Sequence, residues 1–133
     1  MGIKAIARLA PVHIPYTISA GEAADCQIFV ADQDYEIMDV RETHSIAGAG
    51  SSTLDVGVSA SGTAAASLTT ALSSTFALDS TADTPVQATL TSTVANRKVD
   101  KGEQISLNFT GTVTAYEGAV HIVLKPIRTN YTY

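Results

Sequence analysis

Apolar and polar residues alternate with a period of two along much of this chain, the pattern of strands that bury one face. From Ile105 to Thr110 the set Ile105, Leu107 and Phe109 lies on one side, and Ser106, Asn108 and Thr110 lie on the other. Val120, Ile122 and Leu124 repeat the pattern with Val123 opposite, and Pro126 ends the run because it lacks a backbone donor. Leu54, Val56 and Val58 alternate with Asp55 and Gly57. Val86, Ala88, Leu90 and Ser92 alternate with Gln87, Thr89, Thr91 and Thr93, which predicts a half-buried strand with a threonine-rich outer face.

The run from Cys26 to Ala31 also reads as a strand, closed by a turn at Asp32-Gln33-Asp34, where aspartates can bond nearby backbone. Between Tyr35 and Ser45 the apolar set shifts phase, from Tyr35 and Ile37 to Met38 and Val40, which predicts a β-bulge. Joined through Gly48-Ala49-Gly50-Ser51-Ser52, this segment and Leu54 to Val58 read as a hairpin with a wide tip. Thr75 to Asp79 predicts a short strand, Ala64 to Leu72 one or two helical turns, and Tyr116-Glu117-Gly118 a turn. At least seven short strands, punctuated by Gly, Asp and Pro, predict an all-β, single-domain β-sandwich of jelly-roll type over residues 21–127.

The two ends break the pattern. Residues 1–20 space Ile3, Ile6, Leu9, Val12, Ile14 and Ile18 around Pro11 and Pro15, which predicts an extended N-terminal arm. Burying one such aliphatic side chain is worth roughly 1.5–3 kcal/mol, so the arm is expected to dock, either on this domain or on a neighbour. Residues 128–133 form a predicted C-terminal tail, and its Tyr131 and Tyr133 are the expected anchors. These eight side chains are the candidate contacts to a partner or a sister subunit.

Composition narrows the class of function. Charged residues are 16% of the 133, below the roughly 25% of an ordinary soluble domain, and 45% are hydrophobic. The implied surface is neutral and rich in hydroxyls, a poor barrier to self-association, and a homo-oligomer is expected. The net charge of -5 argues against a phosphate-tracking surface. Asp100 interrupts the one basic cluster, Arg97 to Lys101, so no nucleic-acid partner is expected. No apolar run approaches a membrane span, the start lacks the unbroken apolar core of a signal peptide, and Ile6 is wrong for a myristoylation signal; no membrane partner is expected. Cys26 is the only cysteine, which excludes an intrachain disulfide.

Candidate chemistry is sparse. His13, His44 and His121 share no short metal-binding spacing, and His44 and His121 fall at strand positions expected to face outward. Asp32-Gln33-Asp34 with Glu36 resembles a piece of a calcium loop but lacks its glycine and distal glutamate, and an Asx-bonded turn explains the same residues. No serine sits in a Gly-x-Ser-x-Gly elbow, Cys26 opens an apolar strand, and Gly48-Ala49-Gly50 lacks the third glycine of a dinucleotide loop. Asn108-Phe109-Thr110 and Asn130-Tyr131-Thr132 match the glycosylation pattern without an export signal to bring it into use. The sequence therefore predicts a non-enzyme with no catalytic residues, no metal and no cofactor.

Three segments carry a resemblance: IFVADQDYEIMDVRETHSIAG, TALSSTFALDSTADTPVQATLTSTVANRKVDKGEQISLNFTGT and AVHIVLKPI, together spanning about residues 26–127. Their order resembles that of the small decoration, or cement, proteins of tailed-phage heads. The resemblance implies a virion protein, made in the host cytoplasm, that binds the outer surface of the major capsid protein shell and stabilises the expanded capsid. It implies a homotrimer, less often a dimer, and no enzymatic activity. It transfers no residue-level contact. A glycan- or receptor-binding β-sandwich is the alternative, set against by the absence of Trp and an aromatic content of 6%. A small jelly-roll hydrolase or isomerase is a third reading, for which the histidine spacing offers no metal centre.

Overall fold

The computed structural model describes residues 10–127 and is an all-β sandwich of two antiparallel sheets. The strands in the first half of the chain are β1 (Val12–Ile18), β2 (Cys26–Val30), β3 (Tyr35–Ile46) and β4 (Thr53–Ser59). Four two-residue strands follow: β5 (Thr69–Thr70), β6 (Phe76–Ala77), β7 (Val86–Gln87) and β8 (Lys98–Val99). β9 (Gln104–Thr110) and β10 (Glu117–Pro126) complete the set.

The first sheet runs β1-β10-β3, and both β7 and β8 pair with β3; the second runs β2-β9-β4, and both β5 and β6 pair with β4. β1 pairs with β10, β2 with β9, β3 with β7 and β8, and β4 with β5 and β6, the pairings of one long hairpin. Rolling that hairpin up adds the β10–β3 and β9–β4 ladders and closes the jelly roll. The core lies between the sheets. Ile37, Val40, Leu54, Val56, Ile105, Leu107, Ile122 and Leu124 are fully buried there, the alternating sets that the sequence pattern marks.

The phase change in β3 has its structural cause at Met38. Leu124 opposes Ile37 and Val123 opposes Asp39, so Met38 is left unopposed on the strand, exposed at 46%. This is the predicted β-bulge. Similar register shifts leave Ser45 and Ile28 without opposed partners. Gly57 is required where β4 meets β5, because a Cβ there would lie 2.0 Å from the Thr69 carbonyl oxygen.

Several expectations change. Residues 12–18 are not part of an arm: they form β1, and Ile14 and Ile18 pack in the chain's own core with Val12 half-buried against it. The sandwich therefore begins before residue 21, because strand pairing with β10 turns those side chains inward. β3 and β4 are not a hairpin, since they belong to opposite sheets and residues 47–52 cross between them. Only Ala65–Ser67 makes a 3₁₀ turn within 64–72. The alternation from Val86 to Ser92 pairs over two residues only, followed by a Leu72–Leu90 bridge, so most of it is an ordered connection. Tyr116 is fully buried, and the turn expected at 116–118 lies earlier, at Thr114 and Ala115, so that β10 already starts at Glu117.

Candidate interaction surface

Among the described residues β1 is the outermost strand of the first sheet, with one side paired to β10 and no strand on the other. Pro15 lies in it, as suits an edge strand, since proline has no donor for a central ladder. Across the outer face of this sheet the register sets rows of side chains: Pro15, His121, Arg41 and Gln87 in one, and Thr17, Ala119 and Thr43 in the next. The small Ala119 between two threonines leaves a trough. It joins a depression of about 380 Å³ bounded by Thr17, Ser19, Thr43, Ser45 and Asp83 to a smaller one of about 150 Å³ beside Pro15, Arg41, Pro85 and His121.

Charge on this face is internally cancelled. Arg41 Nε donates to Asp39 Oδ2 at 2.8 Å, and Gln87 Nε2 donates to Asp39 Oδ1 at 2.9 Å. The trough is thus lined by hydroxyls and short aliphatic groups, apart from Asp83 and Glu117 at its end. Such a face can meet another protein without stripping water from many charges.

Under the end of the trough, the inward side chains of β3 turn from aliphatic to ionisable. Glu42 is 2% exposed, His44 1% and Tyr116 0%. Tyr116 OH donates to Glu42 Oε1 at 2.8 Å, and His44 Nδ1 lies 2.8 Å from the same oxygen. His44 Nε2 lies 3.0 Å from the Ser80 carbonyl oxygen. A carbonyl only accepts, so His44 Nε2 is a donor, and Nδ1 donates as well when the ring is protonated against an ionised Glu42. Burial pulls the His44 pKa down, but the Ser80 and Glu42 hydrogen bonds and the charges of Glu42 and Asp83 outweigh it and leave the value raised. Burial, reinforced by Glu42, pushes the Tyr116 phenol far up and holds it neutral. Gly118, the register partner of His44, makes room for this cluster: a Cβ there would lie 2.5 Å from both Tyr116 OH and the Thr43 carbonyl oxygen.

His44 is therefore buried and bonded at both ring nitrogens, not the outward-facing residue that alternation predicts, because the bulge at Met38 shifts the phase of the rest of β3. Its Nε2 is occupied by a backbone carbonyl and is not free to serve as a general base. The three histidines do not converge. His13 and His121 meet on the outer face of the first sheet, with His13 Nδ1 3.0 Å from His121 Nε2, a pair that sequence spacing could not reveal because it depends on the β1–β10 register.

The Asp32-Gln33-Asp34 segment is a turn whose carboxylates have protein donors: Tyr35 OH bonds Asp32, and the Lys101 N–H donates to Asp34 at 2.9 Å. The half-buried Cys26 Sγ lies 3.6 Å from Tyr16 OH, and that contact, more than burial, raises the Tyr16 pKa. Among the described residues no group of three or more His, Cys, Asp or Glu is arranged to hold a metal ion. Of the eight candidate contact residues, Val12, Ile14 and Ile18 face the core, while Ile3, Ile6, Leu9, Tyr131 and Tyr133 lie outside the described residues.

No protein-family model matches the chain, and no curated protein does. Among solved structures, the fold is similar to that of a chain in the capsid of Ralstonia phage GP4, with a TM-score of 0.56 at 14% identity, covering 90% of this chain and 85% of that one. At that identity the likeness is one of fold.

Proposed function

We propose that this chain is a structural protein of a tailed-phage head, which binds the outer surface of the major capsid protein shell as a homotrimer and stabilises the expanded capsid. The observation that carries the reading is the jelly roll shared, over 90% of the chain, with a chain of a phage capsid. Supporting it are a first-sheet face where Arg41 is paired with Asp39, an edge at β1 that no described strand covers, and a hydroxyl-lined trough beside that edge. A protein that binds only the expanded shell stabilises it by mass action, and the repeat of a lattice multiplies weak contacts into avidity. Ile3, Ile6, Leu9, Tyr131 and Tyr133 are the side chains proposed to reach the shell or a sister subunit.

Co-sedimentation with expanded and unexpanded capsids, together with light-scattering mass of the pure protein, tests the proposal. Occupancy of the expanded form alone, by a trimer, is the expected result. Removal of residues 1–9 should leave a folded domain that no longer occupies capsids, whereas removal of residues 1–18 takes away β1 and with it Ile14 and Ile18 of the core. Equal occupancy by the 1–9 deletion would remove the arm from the mechanism. Reproducible binding on a glycan array, with no capsid occupancy, would overturn the structural role itself.

A further inference from the structure

His13 of β1 and His121 of β10 form a pair on the outer face of the first sheet, with His121 beside the smaller depression. Both residues point out of the first sheet, and each sits on a strand held by a continuous ladder: His13 opposes Val123 and His121 opposes Pro15. His13 Nδ1 and His121 Nε2 are 3.0 Å apart, and the ring centroids are 5.3 Å apart with planes inclined at 50°. Two nitrogen ligands at about 2.0–2.1 Å from a tetrahedral zinc stand about 3.3 Å apart, so the pair needs to open by only a few tenths of an ångström.

We infer that His13 and His121 form a two-imidazole clamp for a borderline-soft divalent cation of the Zn²⁺ class. Imidazole nitrogen selects Zn²⁺, Cu²⁺ or Ni²⁺ over Mg²⁺ and Ca²⁺, which prefer oxygen. In the free pair one ring's N–H donates to the other's lone pair. On binding, that hydrogen moves through solvent to the same ring's other nitrogen, so two lone pairs face the cation and no net proton is lost. The strands hold both rings before the cation arrives, and Pro15 stiffens β1 two residues from His13. The nearest charged side chain in register is Arg41, beside His121, and its guanidinium is drawn aside to Asp39. With two protein ligands, the remaining positions on the cation face outward.

Titration of the full chain with Zn²⁺ at neutral pH, followed by calorimetry and by the thermal midpoint, tests the clamp. The expected result is one Zn²⁺ per chain and a midpoint that rises with zinc, because the cation binds the folded state. His13→Asn and His121→Asn should each weaken binding by at least about tenfold, and the double variant should be no worse than either single one, since both ligands are needed for chelation. Mg²⁺ should neither compete nor raise the midpoint. Zinc binding of wild-type affinity in the double variant, or no zinc-dependent rise in the midpoint of the wild-type chain, would overturn the inference.

Discussion

The two halves of β3 run through the same sandwich and put opposite chemistry inside it. In the first half Ile37 and Val40 face inward among Ile122, Leu124 and Val99, and their burial depends on area and fit but not on direction. In the second half Glu42 and His44 face inward, and their burial depends on four atoms being where they are: Glu42 Oε1, Tyr116 OH, His44 Nδ1 and the Ser80 carbonyl oxygen. Glu42 Oε2 has no hydrogen-bond partner among the described residues, so the shared Oε1 carries the whole compensation for this carboxylate. One strand thus joins a half that tolerates change in shape to a half that tolerates little change in partners.

The largest test of that contrast is His44→Ala, which leaves Glu42 buried without its imidazole partner and should cost about 3–5 kcal/mol in denaturant unfolding. Replacing the whole cluster with apolar side chains, as Glu42→Met, His44→Leu and Tyr116→Phe together, should recover most of that loss. If the triple variant is as unstable as His44→Ala, an orphaned charge is not the cause. In the apolar half, Ile37→Ala should cost about 2–5 kcal/mol and Ile37→Val about 0.5–1.5 kcal/mol, a graded response to volume that the ionic half should not show.

A smaller effect separates the halves by pH. The His44 pKa is raised in the fold, so its stabilising contribution is complete below the ordinary imidazole value of about 6.5 and fades as pH rises through the raised value. Unfolding midpoints measured from pH 6 to pH 9 should therefore fall more steeply for the wild-type chain than for His44→Gln; parallel profiles would show that the ring is not charged in the fold. The smallest effect belongs to the outer face of the same strand. Arg41→Ala removes a pair whose arginine is 57% exposed, and it should change stability by less than about 1 kcal/mol, since solvent screens such pairs.

How far the sequence could be read follows the same division. The inward sets at 54–58, 105–109 and 120–124 were legible because alternation is a local property of each segment. So was the bulge at Met38, since a phase change between Ile37 and Val40 leaves a local mark. The split of Val86–Ser92 into a two-residue strand and a connection was not, because β3 offers it pairing only at Arg41 and Glu42. Ile14 and Ile18 looked like surplus grease near two prolines, and only their ladder with β10 makes them core. The sequence does hold Glu42, His44 and Tyr116, but nothing in their spacing brings Tyr116 to the other two.

By itself, the order of residues determined that this would be a sandwich of short strands, where most of those strands would run, and which of their faces would be apolar. The tertiary structure alone decided which sheet each strand joins, that β1 is the outermost described strand of its sheet, that His44 is buried against Glu42, and that His13 and His121 touch. The physical reason is range. A strand's period is set by neighbours two residues apart, whereas pairing, burial of a charge and the meeting of two imidazoles depend on segments far apart in the chain whose register only the closed fold defines.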